Sequence, residues 1–127
     1  MSDGPLAGAR LVAFLATTRP ADAKRFFAET LGLSLIAEDA FALVFDGLGV
    51  TLRVTPVAEL VPRPFTVLGW QVPDITQAVR ALAARGVAVE RFEGIGQDEL
   101  GVWHAPSGAA VAWFKDRDGN LLSFSQR

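Results

Sequence analysis

The apolar positions of this chain change period in an order that occurs twice. Residues 11–16 form a continuous apolar run, which predicts a buried strand. Ala23, Phe26, Phe27 and Leu31 then recur at helical spacing and predict a helix over residues 21–31. Thr18 can cap it, Pro20 suits its first turn, and Gly32 is a stop signal. Residues 33–37, 41–45 and 50–55 are short runs between turn signals, and each predicts a strand. The first half, residues 9–56, thus reads strand, helix, strand, strand, strand.

Residues 57–64 hold two of the 7 prolines and break regular structure, so they read as a linker. Beyond it, residues 65–72 predict a strand. Asp74 is a good N-cap for a helix whose apolar face is Ile75, Ala78, Val79 and Leu82. Arg85 and Gly86 end that helix with a cation and a glycine. Residues 87–92, 109–115 and 121–125 predict three more strands. The last two flank Asp116-Arg117-Asp118-Gly119-Asn120, a tight-turn sequence that predicts a hairpin, and Asp46-Gly47 marks its counterpart in the first half. The order therefore repeats over residues 65–127. An insertion at 94–108 carries Gln97, Asp98, Glu99, Trp103 and His104; irregular insertions of this length more often serve ligands than scaffold, with a short extra strand as the alternative.

Composition narrows the picture by exclusion. A chain of 127 residues, 50% hydrophobic and 20% charged, is a globular domain and not a disordered one. Its net charge of −2, with the cations scattered, gives no electrostatic reason for a nucleic-acid partner. The absence of cysteine excludes disulfides, thiolate nucleophiles and iron–sulfur ligation by this chain. The first residues lack the character of a signal peptide and no apolar stretch is long enough to span a bilayer. The expectation is a cytoplasmic protein with no membrane partner.

Three stretches carry a resemblance: Phe26-Phe27 with Leu31-Gly32-Leu33, Val72-Pro73-Asp74 leading into Ala84-Arg85-Gly86-Val87, and Phe114-Lys115-Asp116-Arg117-Asp118-Gly119-Asn120. In this order and spacing the chain resembles the vicinal oxygen chelate superfamily, which holds glyoxalase I, ring-cleaving dioxygenases, fosfomycin-resistance enzymes and bleomycin-binding proteins. The resemblance covers essentially the whole chain. It implies an α+β fold of two tandem βαβββ modules, forming a cupped mixed sheet around a cleft. It also implies a homodimer, with modules either exchanged between chains or kept within one.

Metal-dependent members of that superfamily hold a divalent ion with His, Gln or Glu from the first and last strands of each half. Carried over, those positions fall at Val12 and Val67 on the first strands and at Arg53 and Ser123 on the last. Two are hydrocarbons, one is a cation and one a weak neutral oxygen, so none suits a divalent ion. A slip of one residue gives Ala13, Leu68, Leu52 and Phe124, which are no better. The chain has 1 histidine, whereas catalytic metal sites usually take at least three protein ligands. The expectation is no metal and no cofactor.

Period-two alternation then assigns the cleft face. Val12 and Phe14 would line it from the first strand, Arg53 with Thr51 and Thr55 from the fourth. Phe65, Val67, Gly69 and Gln71 would line it from the fifth, and Ser123 with Ser125 from the last. The expected ligand contacts are Phe14, Arg53, Val67, Gln71, Trp103 and Ser123, an apolar and aromatic set with sparse polar groups. Arg53 could grip a carboxylate or phosphate with its planar fork, pair with an internal carboxylate, or lie on an exposed edge. Trp103 is either a stacking wall or a packing residue, and only one of Trp113 and Phe114 can face the cleft. Trp70 reads as core. His104 is the one candidate general acid or base, against the alternative of a surface hydrogen-bonding residue. Ser123 lacks the elbow and adjacent base of a nucleophile.

Together these readings favour a small-molecule-binding protein of the glyoxalase, bleomycin-resistance and dioxygenase type without the usual metal ligands, such as a sequestration or resistance protein. Its ligand would be apolar or aromatic, with an acidic group for Arg53. The alternatives are a lyase or isomerase using a non-standard metal site or a metal-free site of Arg53 and His104, and a scaffold subunit that dimerises and binds nothing small.

Overall fold

A computed structural model describes residues 3–127. The first module runs β1 (Val12–Thr17), α1 (Pro20–Arg25), β2 (Ser34–Glu38), β3 (Leu43–Asp46) and β4 (Thr51–Pro56). The second runs β5 (Thr66–Gln71), α2 (Ile75–Ala84), β6 (Trp103–His104), β7 (Ala110–Lys115) and β8 (Leu121–Gln126). Each module makes a four-stranded mixed sheet, in the orders β1-β4-β3-β2 and β5-β8-β7-β6. The first strand pairs in parallel with the last, and the other pairings are antiparallel. The matching orders establish an α+β fold of two repeated modules.

Local chemistry explains most boundaries. Asp74 caps α2 by accepting a hydrogen bond from the Gln77 backbone N–H at 3.1 Å. Ile75, Val79 and Leu82 are its buried stripe. Gly32 takes φ 77° after the first helical segment, a value that suits glycine. Thr18 does not cap α1, contrary to the sequence expectation, because no side chain caps that helix. Its hydroxyl and its backbone N–H instead donate to Asp118 at 2.6 and 2.7 Å.

The expected strand at residues 87–92 does not form. One ladder-like bond remains there, from Glu90 N–H to the Trp113 carbonyl at 2.7 Å. The fourth strand of the second sheet comes from the insertion, where Trp103 and His104 pair with Val111 and Ala110. The edge of this sheet is thus shared by two short segments.

The core lies between the sheets. α1 passes into a π-helical turn at Phe26–Thr30, closed by Leu31 N–H to the Phe26 carbonyl at 2.9 Å. Both adjacent phenylalanines are buried there and they point to different sheets. Phe27 packs on Phe45 of β3, with ring centroids 5.7 Å apart. Phe26 packs on Phe114 of β7 at 6.5 Å. The first helix is therefore wedged between the two sheets, and one continuous apolar cluster joins both modules. It follows that the opposite faces of the two sheets look outward, away from each other. Val12 and Phe14 are exposed on the first of these faces, and Phe65 and Val67 are exposed at the start of β5.

Candidate functional site

The outward face of the first sheet centres on Arg53. Its strand is an inner one, and Phe14 of β1 and Val44 of β3 stand directly beside it. Phe14 is 64% exposed, while Arg53 and Val44 are half-buried. Among the described residues Arg53 makes no hydrogen bond and no ion pair. Neither the internal carboxylate nor the strand edge allowed by the sequence is found. Phe14 and Val44 flank the guanidinium, and Thr51 and Thr55 share its face along β4.

The outward face of the second sheet is aromatic. Ser123 stands between Gly69 and Trp113 on the adjoining strands, and Gln71 stands beside Ser125. Trp113 rather than Phe114 takes this face, since Phe114 is fully buried. Trp103 lies 6.2 Å from Trp113 at a shallow 32°, and Phe92 meets Trp113 edge-on at 5.5 Å. The Trp113 indole N–H donates to Thr66 Oγ1 at 3.1 Å, which fixes the ring. Gly69 is required where it is, because a Cβ there would collide with the Ser123 hydroxyl. Phe14 and Arg53 thus meet on one sheet, whereas Val67, Gln71, Trp103 and Ser123 share the other.

The positions that carry metal ligands in the resembling superfamily do not fit a divalent ion. Val12 and Val67 present hydrocarbon, Arg53 a positive charge and Ser123 a single neutral hydroxyl. No cluster of three or more His, Cys, Asp or Glu side chains able to hold a metal occurs among the described residues.

His104 stands apart from these groups. It pairs with Ala110 while its neighbour Trp103 pairs with Val111, so the two side chains take opposite faces of β6. Its Nε2 lies 2.8 Å from Asp98 Oδ2, and its side chain is 65% exposed. Desolvation pushes the Asp98 carboxyl upward, but hydrogen bonds from His104 and from the N–H groups of Val102 and Leu100 outweigh it and hold the pKa below its ordinary value. Gln97, carried by the same insertion, has a structural part that its sequence gave no sign of. Its amide nitrogen donates to the carbonyls of Glu90 and Gly101 at 2.8 and 2.7 Å, and its oxygen accepts from Phe92 N–H at 2.7 Å. This clamp shapes the loop that presents Phe92 to Trp113.

A cavity of about 530 Å³ opens between the modules on the helix side of the sheets. Ala13, Leu33 and Leu52 wall it from the first module, and Leu68, Trp70 and Phe124 from the second. Among the ligand contacts expected from the sequence only Gln71 reaches it. Alternation set Leu52, Leu68, Trp70 and Phe124 opposite the cleft face, and it could not show that a space remains among them. Trp70 ties the two walls by donating its indole N–H to the Gly47 carbonyl at 3.2 Å.

No protein-family model matches the chain, and no curated protein sequence matches it. Solved structures do. A protein assigned to the glyoxalase family from Bacillus anthracis superposes with a TM-score of 0.78 at 16% identity, covering 100% of this chain and 99% of that one. Lactoylglutathione lyase from Agrobacterium tumefaciens gives 0.73 at 13% identity, covering 98% and 96%. TnmS3, an antibiotic binding protein from Streptomyces sp. CB03234, gives 0.67 at 23% identity, covering 92% and 93%. The chain shares its fold with these glyoxalase-type structures, the fold that the sequence resemblance implies.

Proposed function

We propose that this protein binds a small, planar, apolar or aromatic molecule carrying an anionic group, as a sequestration or resistance protein does, without a metal. The observation that carries the reading is Arg53, a half-buried cation with no partner among the described residues, flanked on its sheet face by Phe14 and Val44. The Trp103, Trp113 and Phe92 cluster supplies the complementary aromatic wall. The likeness to an antibiotic binding protein supports the reading at the level of the fold.

Arg53 and that wall lie on faces that diverge within one chain, so the cup needs a second copy. In the arrangement we propose, the first sheet of one chain faces the second sheet of its partner, and a two-fold axis makes two equal cups. The exposed Phe14, Phe65, Val12 and Val67 are then covered, which removes apolar surface from water. We read this dimer as cytoplasmic; among the described residues no helix is long and apolar enough to cross a membrane. A lyase or isomerase using His104 gains no support, since His104 stands on the opposite face of β6 from Trp103.

Titration calorimetry with anthracene-9-carboxylate and the neutral anthracene-9-methanol tests the ligand class. The carboxylate should bind at least about tenfold more tightly, a difference of about 1.4 kcal/mol. Arg53→Ala should abolish that preference while leaving the neutral probe bound. An unchanged preference in the variant would remove Arg53 from the site and the anion from the ligand.

A further inference from the structure

We infer that the cavity between the modules is a second ligand site, separate from the cup, and that it takes an uncharged, hydrocarbon-rich molecule such as a medium-chain alcohol. Its volume of about 530 Å³ falls within the range of about 300–1,000 Å³ usual for small-molecule pockets. The cavity is a cleft open at its rim, so an occupant would take its apolar walls out of water.

The walls select the ligand class. No charged side chain lines the cavity, so a carboxylate or ammonium entering it would lose its hydration without gaining a partner. The one polar residue that borders it is Gln71, which stands beside Ser125 on β5 and whose amide has no hydrogen-bond partner among the described residues. A single hydroxyl or carbonyl on the ligand would satisfy it. The other walls include Ala13, Leu31, Leu33, Leu52, Leu68 and Phe124.

The rim gives an independent sign. Leu11 and Leu48 both contribute to the cavity, yet they are 74% and 73% exposed. Leu48 also sits at φ 69°, the one non-glycine residue with positive φ among those described. Left-handed backbone is unfavourable for a leucine, and such strain persists where a particular side chain is needed in place. Here it holds an apolar side chain at the cavity mouth, where an asparagine or glycine would have turned the chain more easily. An occupant would touch both modules and reinforce the join that Trp70 makes to Gly47.

Trp70 is one of 3 tryptophans and lines the cavity, so it can report occupancy. The Trp103→Phe, Trp113→Phe double variant leaves it as the single fluorophore and removes the tryptophans of the cup. This separates the outcome from that of the cup. In this variant 1-decanol should change Trp70 emission saturably with one molecule bound per chain, and decanoate should bind at least tenfold more weakly. Adding Ala13→Phe or, separately, Leu68→Phe should abolish the decanol response in a protein that still unfolds cooperatively. The inference is overturned by no saturable response or by equal binding of decanoate. It is also overturned if the response survives in either folded filling variant, or if it follows protein concentration rather than decanol, which would mark the cavity as a contact between copies.

Discussion

Asp118 shows how much one side chain can join. From the β7–β8 turn it accepts hydrogen bonds from the hydroxyls of Thr17 and Thr18 and from Thr18 N–H, tying the closing hairpin to the end of β1. Asn120 adds a bond from its amide to the Ala16 carbonyl at 3.1 Å. Desolvation raises the Asp118 pKa, but these donors and the Arg19 charge outweigh it, so the net shift is downward. A depressed folded-state pKa contributes stability above the unfolded value of about 3.9, lost as pH falls through the folded value. Asp116 acts in the opposite sense. Burial raises its pKa despite hydrogen bonds from Asn120, so its contribution is present at low pH and is lost as pH rises through the folded value. Asp118→Ala should therefore cost about 1–2 kcal/mol at pH 7, allowing for partial solvent screening. Urea unfolding at pH 7 and pH 3 checks this: the deficit should shrink at pH 3, and an equal deficit at both would contradict the account. The turn itself was legible in Asp-x-Asp-Gly-Asn. The partners of Asp118 were not, because they lie in the other half of the chain and nothing local to the turn requires them.

At the scale of elements, periodicity located both helices and seven of the eight strands, and it erred at the edge of the second sheet. Residues 87–92 carry a strand-like apolar pattern, yet Trp103 and His104 pair with β7 instead. A period tells which segments could lie in a sheet but not which of two short candidates wins the same edge. Gln97 helps decide it by bonding three backbone groups of the loop. Replacing it with alanine leaves those groups dependent on water, so the Phe92 amide should exchange hydrogen at least about tenfold faster. Amides of β8 should be unaffected. Uniform acceleration across both would show general destabilisation rather than release of the loop. The π-helical turn is a second departure from local rules. Two adjacent phenylalanines suggest one amphipathic face, whereas the widened turn lets each serve a different sheet.

At the scale of the molecule, the wedge of the first helix between the sheets decides the form of the site. Alternation set Phe14 beside Arg53 and Gly69 beside Ser123, as the register pairs them, but it missed the register shift at Val67 that leaves Thr66 on the Trp113 side. It could not show that the two faces diverge, since that depends on Phe26 reaching Phe114 across the modules. The inter-module cavity was hidden for the same reason. The proposed cup, made from Arg53 of one chain and Trp103 of another, makes a distinctive prediction, because each chain would give half of two different sites. Arg53→Ala and Trp103→Ala should each abolish tight binding of anthracene-9-carboxylate. When the two variants are co-expressed and assemble together, each mixed dimer should hold one intact cup and one doubly altered cup. Calorimetry of the mixture should then recover wild-type affinity at about one site in four after random assembly. If the mixture binds no better than either variant alone, the cup is not shared between chains and the account is wrong.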